Sequence, residues 1–405
     1  MTSDHPERIV LHIAGADRPG VTSTLTSILA EENASLVAIG QSVLHGYLML
    51  SAIVDIPVDS HALRRLLFAV AELGLRLEVS TFETAEIQPS HDAPVLCVTM
   101  LGDLNTGKAV AEATNYLAER KMNIIEIRTL SDITLRGMEL FVGLPRGPVL
   151  TQTQLADLRG EILRLGQRLS VDIAVQKDDI YRRTKRLVCL DVDSTFMQGE
   201  LIDDLAEQVG CKEQVAAITA RAMGGELDFK QALAERVALL KGLPLEKAEA
   251  VAASIETTPG AEQFVKTLKS LGFRVGLVSG GFDFFVDNLK NRFGLDFAFA
   301  NELEVVDGRL TGRVQGTVVD GERKAQILRD MSKVYKFRLE QSVAIGDGAN
   351  DIWMLQTAGL GIAYRGKLKV QKVADMSLNH NLGLDTLLYL MGFTARELKW
   401  LDNGA

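Results

Sequence analysis

The stretch Leu187-Val-Cys-Leu190, followed at once by Asp191-Val-Asp-Ser-Thr195, decides how this chain is read. Four apolar residues in a row suit a strand of a parallel sheet covered on both faces. Two carboxylates follow at i and i+2, a spacing that puts side chains on one face of an extended chain. Open parallel sheets build their sites at the C-terminal ends of their strands. There one carboxylate can attack an electrophile while the other shuttles a proton, and both can help hold a hard divalent cation. Taken alone, the stretch is equally a capped strand–loop junction, because Asp, Ser and Thr favour loops.

Further along, apolar runs recur with helical stretches between them: Arg274-Val-Gly-Leu-Val278, Ser342-Val-Ala-Ile345 and Gly359-Leu-Gly-Ile-Ala363. The pattern predicts an α/β domain built on a parallel sheet. Val278 runs into Ser279-Gly280-Gly281, a hydroxyl and backbone N–H groups able to cradle a phosphoryl group, or simply a turn. Lys324 opens a helix within Asp320-Gly-Glu-Arg-Lys324 and by itself reads as a solvated lysine. Ile345 runs into Gly346-Asp-Gly-Ala-Asn-Asp351, which offers Asp347, Asn350 and Asp351 in one loop.

The N-terminal part repeats itself. Ile28-Leu-Ala-Glu-Glu-Asn-Ala-Ser-Leu-Val-Ala-Ile39 aligns with Tyr116-Leu-Ala-Glu-Arg-Lys-Met-Asn-Ile-Ile-Glu-Ile127. Each copy opens on a strand, Ile9-Val-Leu-His-Ile13 or Val95-Leu-Cys-Val-Thr99, then predicts helix, two strands, helix and strand. The second helices are expected at 60–73 and 151–168, the closing strands at 75–82 and 171–176. This is the βαββαβ arrangement of ferredoxin-like units. A Pro-containing link at 88–94 and a polar, basic segment at 177–186 read as boundaries. The expected domains are 1–88, 89–177 and 178–405, with helix-rich residues 200–258 as an insertion in the last.

Of the 405 residues, 47% are hydrophobic and 24% charged, so the chain is globular rather than disordered. A net charge of -9 argues against nucleic acid as a partner. Cys97, Cys189 and Cys211 are odd in number and far apart, neither a disulfide framework nor a zinc pattern. The first residues carry no apolar signal core and no apolar run is long enough for a membrane span. A soluble, cytoplasmic protein is expected.

The order Asp-x-Asp-x-Thr, Ser, Lys, Gly-Asp-x-x-x-Asp resembles the signatures of the haloacid dehalogenase-like phosphatases over residues 186–380. That resemblance implies a Rossmann-like core with a helical cap at 200–258. The cap, with Asp191 through Glu200 leading into it and then Met223, Phe229 and Arg236, resembles that of the phosphoserine phosphatases, departing at Phe196, where a smaller aliphatic residue is usual. The resemblance implies hydrolysis of O-phospho-L-serine in serine biosynthesis. Asp191 would be nucleophile, Asp193 acid and base, and Lys324 the charge-offsetting cation. Mg²⁺ would sit on Asp191, the Asp193 carbonyl and Asp347, supported by Asp351. Ser279, Gly280 and Asn350 would hold phosphate, Arg236 the substrate carboxylate and Glu200 its ammonium, with Met223 and Phe229 lining the pocket. A surface ion pair is the plainer account of Arg236 and Glu200.

Gly15-Ala-Asp17-Arg18-Pro19-Gly20 resembles the ligand loop of ACT domains, implying an amino-acid effector such as L-serine and pairing into a homodimer. A Pro-Gly turn opening a helix is the plainer account. The second copy reads Gly102-Asp-Leu-Asn-Thr-Gly107, without Arg-Pro, which leaves a binding or a structural role open. Competing functions are another phosphomonoesterase or phosphotransferase on the same scaffold, and an amino-acid-sensing protein whose phosphatase domain is vestigial.

Overall fold

The computed structural model describes residues 6–81, 95–131, 136–144, 150–380 and 383–402. The expected link at 88–94, Phe82 at the end of the expected strand 75–82, and the side chain of Met223 lie outside the described residues. The chain divides into two compact units, Met1–Ser90 and His91–Ala405.

The first unit runs β1 (Glu7–Ala16), α1 (Val21–Glu31), β2 (Ser35–Leu44), β3 (Tyr47–Ile56), α2 (Ala62–Glu72), β4 (Arg76–Thr81). Its sheet is antiparallel in the order β2-β3-β1-β4. Ile9, Leu11 and Ile13 alternate inward from β1 and meet Val21, Leu25, Ile28 and Leu29, one face of α1. Every residue of the edge strand β2 is exposed.

The second unit begins with the same device: β5 (Leu96–Leu101), α3 (Lys108–Glu119), β6 (Asn123–Thr129), β7 (Gly137–Gly143), α4 (Gln152–Leu169) and β8 (Asp172–Lys177), in the order β6-β7-β5-β8. The repeat extends to the irregularities. The β2/β3 register shifts between Leu36 and Ala38, and the β6/β7 register shifts at the aligned Ile124 and Glu126. Both first helices start after a left-handed glycine, Gly20 (φ 96°) and Gly107 (φ 71°), a conformation a side chain would oppose. Helix α4 is held by a reciprocal cap. Thr151 Oγ1 accepts from Gln154 N, and Gln154 Oε1 accepts from Thr151 N.

Segment 177–186, polar enough to read as a linker, is packed. The Arg182 side chain is buried between Glu139 (2.6 Å) and Asp178 (3.0 Å). Gln176 donates to the Leu390 carbonyl, and the Asp172 carboxylate accepts the Asn379 N–H. Leu101, Leu130 and Ala174 share one apolar cluster with the core of the C-terminal region. Two of the cations that made the segment look solvated are neutralised by residues remote in sequence, Arg182 by Glu139 and Arg183 by Glu397.

That core is a seven-stranded sheet. Its strands are β9 (Leu187–Leu190), β10 (Arg274–Phe282), β11 (Phe297–Val306), β12 (Arg309–Gln315), β13 (Ser342–Gly346), β14 (Gly361–Tyr364) and β15 (Met376–Leu378), in the order β12-β11-β10-β9-β13-β14-β15. Strand β9 lies centrally, parallel to β10 and β13, which is why all four of its residues are buried. Between β9 and β10 come α5 (Leu201–Gln208), α6 (Lys212–Met223), α7 (Phe229–Ala238), α8 (Leu245–Ser254) and α9 (Ala261–Ser270), and α10 (Asp283–Phe293) follows β10. The antiparallel β11–β12 hairpin and β15 were not anticipated. The hairpin turns at Asp307 (φ 50°) and Gly308 (φ 71°), a two-residue turn that Asp-Gly specifies. Among the described residues no helix is long and apolar enough to cross a membrane.

Candidate active site

Strand β9 delivers Asp191 to the C-terminal edge of the sheet, where its N–H donates to the Ile345 carbonyl at 2.9 Å. The chain then makes one wide helical turn, Val192–Phe196, with Ser194 left-handed at φ 57°. The turn is closed by Ser194 N on the Gly199 carbonyl, and Thr258 Oγ1 donates to the Thr195 carbonyl at 2.7 Å. The turn aims Asp193 into the site. Its Oδ1 accepts the N–H of Leu201 at 2.9 Å, where α5 begins, and its Oδ2 faces Ser279 Oγ at 3.5 Å.

Helix α11 (Gly321–Val334) begins with Asp320 accepting from Arg323 N, which turns Lys324 inward. The lysine that reads as solvated is 0% exposed. Its ammonium donates to Asp191 Oδ1 at 2.6 Å and to Asp351 Oδ1 at 2.7 Å. Burial opposes that charge, yet the attraction of Asp191 and Asp351 holds its pKa above the ordinary lysine value. Asp351 also accepts the Gly348 N–H at 2.9 Å, shaping the loop after β13.

Asp191, Asp347 and Asp351 each present a carboxylate oxygen, all within 4.8 Å of one another. Burial, then the neighbouring Asp351, pushes the Asp191 carboxyl well above the usual range. Burial and Asp351 likewise lift Asp347 to about 6. One ammonium against three crowded carboxylates leaves negative charge uncompensated, so the donor set fits a hard divalent cation. Asp193 is also raised, mainly by burial, and can carry a proton.

A cleft of about 820 Å³ opens over these groups. Asp191, Asp193, Asp347 and Asn350 line its floor, and Glu200, Phe229 and Arg236 line it from the inserted helices. Phe229 stands over Gly280, where a methyl group would meet its Cζ at 3.0 Å, and the Asn350 amide would lie 3.6 Å away. The Glu200 carboxyl is raised chiefly by burial. The hairpin braces α7, which carries Phe229 and Arg236: Leu310 exchanges backbone hydrogen bonds with Gly242 and Leu243 just beyond that helix. Ser279, Lys324 and Asp351 stand behind the lining rather than on it. The loop Asp17–Gly20 lies in the first unit, exposed, with its Asp17 N–H on the Gly46 carbonyl.

Two contributors escaped the sequence reading. Thr195, quoted within the first motif but given no role, donates to Asp347 at 3.3 Å. Asn301, 1% exposed, donates to the Gly280 carbonyl and accepts the Val319 N–H, both at 2.8 Å. It ties the Ser279–Gly281 loop to the segment leading into α11. An Asn that directly ends the apolar run Phe297–Ala300 is the signal that could have found it.

Residues 188–356 match the haloacid dehalogenase-like hydrolase family, and residues 7–80 and 95–176 each match an ACT domain family. A phosphoserine phosphatase of Mycobacterium tuberculosis is 42% identical, over 98% of this chain and 96% of its own. One of Streptomyces coelicolor is 41% identical, over 99% and 96%. Among solved structures, a probable phosphoserine phosphatase of Vibrio cholerae superposes with a TM-score of 0.58 at 31% identity, over 80% of this chain and 94% of its own. A haloacid dehalogenase family hydrolase of Salmonella enterica reaches a TM-score of 0.63 at 28% identity, over 73% and 98%.

Proposed function

Because this chain belongs to the phosphoserine phosphatase family of haloacid dehalogenase-like hydrolases and carries two ACT domains, we propose that it hydrolyses O-phospho-L-serine to L-serine and phosphate, as a step of serine formation, through an aspartyl-phosphate on Asp191. The observation that carries the proposal is the single cleft with Asp191 and Asp193 on its floor and Glu200 and Arg236 facing them.

Arg236 pairs with the substrate carboxylate through two parallel N–H donors, and Glu200 takes the ammonium. The phosphate lies over Ser279, Gly280 and Asn350, and the ring of Phe229 shields it from water. Asp191 attacks phosphorus in line. The bond to the serine oxygen breaks as Asp193 protonates it, and serine leaves. Asp193, now a carboxylate, takes a proton from a water that attacks the phosphorus, and Asp191 departs as the free anion. Lys324 offsets charge on Asp191 throughout. Mg²⁺ would be held by Asp191, Asp347 and the Asp193 carbonyl, with Asp351 beside it. When bound, it supplies the positive charge that the three carboxylates and the phosphoryl oxygens call for.

The proposed organisation is two regulatory modules, 1–88 and 89–177, ahead of a catalytic domain, 178–405, in a cytoplasmic homodimer. Exposed Leu36, Ile39 and Val43 on the edge strand β2 suit pairing with a second copy. An amino acid, L-serine, is proposed to bind at Asp17, Arg18, Pro19 and Gly20, where the N-terminus of α1 favours a carboxylate. The test is steady-state turnover of phosphoserine against a panel of small phosphomonoesters, with Mg²⁺ and with chelator. Preference for phosphoserine that needs the cation is expected. Equal turnover of phosphomonoesters lacking a carboxylate would overturn the substrate assignment.

A further inference from the structure

At the end of the catalytic sheet remote from Asp191, a second cavity of about 410 Å³ lies between α4 and β8 on one side and the entrances to β9, β13 and β14 on the other. Its volume is within the range of small-molecule sites, about 300–1,000 Å³. Lys185, which precedes β9, lines it and is 4% exposed. The ammonium donates to two neutral acceptors, the carbonyls of Glu340 (2.7 Å) and Gly359 (3.1 Å). Among the described residues no carboxylate forms an ion pair with it, and an ammonium has a third hydrogen to give.

We propose that this cavity binds a small anion, through a carboxylate or phosphate group, on Lys185 and Lys177, and that its occupancy alters turnover through the short helix Ile352–Thr357.

The lining argues for an anion. Arg159 is paired with Asp375, and Arg182 with Glu139 and Asp178, so those charges are neutralised. Of the carboxylates on the lining, Asp179 accepts the Tyr181 N–H at 2.8 Å and keeps its charge, and Glu340 lies 3.6 Å from Arg338. Lys177 and Lys185 are left on one cavity without an ion-pair partner among the described residues. Burial draws Lys185 down to about 8 although Asp179, Asp375 and Glu340 pull the other way without pairing with it, and an ammonium buried with no ion pair is disfavoured. An anion would reverse that penalty.

The link to catalysis is covalent and short. Asp351, which holds Lys324, leads directly into the helix Ile352–Thr357, and the chain then reaches Gly359, whose carbonyl Lys185 holds. Leu355, Gln356 and Ala358 form part of the cavity wall. An anion that draws the Lys185 ammonium toward itself loosens one end of a helical segment whose other end positions Asp351.

The test uses the full chain with sodium sulfate and sodium succinate as probes at constant ionic strength. Sulfate stands in for a phosphate group and succinate for a carboxylate. Calorimetry on the wild type, Lys185→Gln and Lys177→Gln should reveal binding at least about tenfold weaker in each variant, as for loss of a charge-assisted hydrogen bond. Gln keeps donors for the Glu340 and Gly359 carbonyls, and the half-buried Lys177 decides the matter if Lys185→Gln does not fold. The preferred probe should change kcat for phosphoserine in the wild type and not in the variants. Binding unchanged in folded Lys177→Gln, or an effect on KM alone, overturns the proposal. The kinetic arm rests on the catalytic assignment above. The calorimetric arm does not, so the two can fail separately.

Discussion

Replacing Arg236 by Ala tests whether the cleft is built for an amino-acid phosphate. The guanidinium's one hydrogen bond among the described residues is from Nε to the Ala232 carbonyl of its own helix, a long 3.3 Å, so its forked N–H groups remain for a ligand. Hydrogen bonds to charged groups contribute roughly 1.5–3 kcal/mol each in net terms. Two of them, taken at the low end because Arg236 is only half-buried, come to about 3 kcal/mol, or about a hundredfold in kcat/KM at 1.36 kcal/mol per decade. Arg236 also draws the Asp193 pKa down, an effect that any phosphomonoester feels. The informative quantity is therefore the ratio of kcat/KM for phosphoserine to that for phosphoethanolamine, which lacks the carboxylate. Arg236→Ala should lower that ratio about a hundredfold, and Arg236→Lys, charged but not forked, should fall between. Equal losses on both substrates, with a wild-type melting curve, would refute the carboxylate contact and leave Arg236 a structural residue of the cap.

Asp191→Asn should abolish turnover and the acid-stable, alkali-labile phosphoprotein in a rapid-quench trap, while circular dichroism stays unchanged; a folded variant with normal turnover would remove the nucleophile assignment. Asp193→Asn should cost about 10²–10⁴ in kcat and abolish the limb of the pH–rate profile belonging to this group, whose pKa burial raises; a profile unchanged from wild type would count against it. Asn301→Ala leaves the Gly280 carbonyl and the Val319 N–H without their partner, so we expect about 1–3 kcal/mol of lost stability in denaturant unfolding and a rise in KM for phosphoserine. Loss of stability with KM unchanged would confine Asn301 to a structural role. Gly20→Val places a branched side chain at φ 96°, and L-serine should then inhibit only as a competitive product; undiminished non-competitive inhibition would exclude the Asp17–Gly20 loop as the sensor.

The strands that carry chemistry were legible because a strand buried on both faces has to be a continuous apolar run, and the polar residue that ends it stands out. Leu187–Leu190 before Asp191 and Ser342–Ile345 before Asp347 are of this kind, whereas the duplicated modules were legible from the alignment of residues 28–39 with 116–127, and their paired register shifts at Leu36/Ala38 and Ile124/Glu126 emerged only in the structure. The β11–β12 hairpin was missed although Asp307-Gly308 marks its turn, because half-exposed strands such as Arg309–Gln315 lack the apolar run.

What the sequence determined by itself is the kind and order of the elements that carry the site and which residues end up at the sheet's C-terminal edge, since both follow from local periodicity and strand polarity. Only the tertiary structure decided the charges. Lys324 and Arg182 look solvated in sequence and are buried, because Asp191 and Asp351 in the one case, and Glu139 and Asp178 in the other, surround them. Lys185 is buried, and its hydrogen bonds among the described residues go to carbonyls alone. Whether a cation is neutralised, stranded or free depends on which distant segment folds against it, and no local pattern records that.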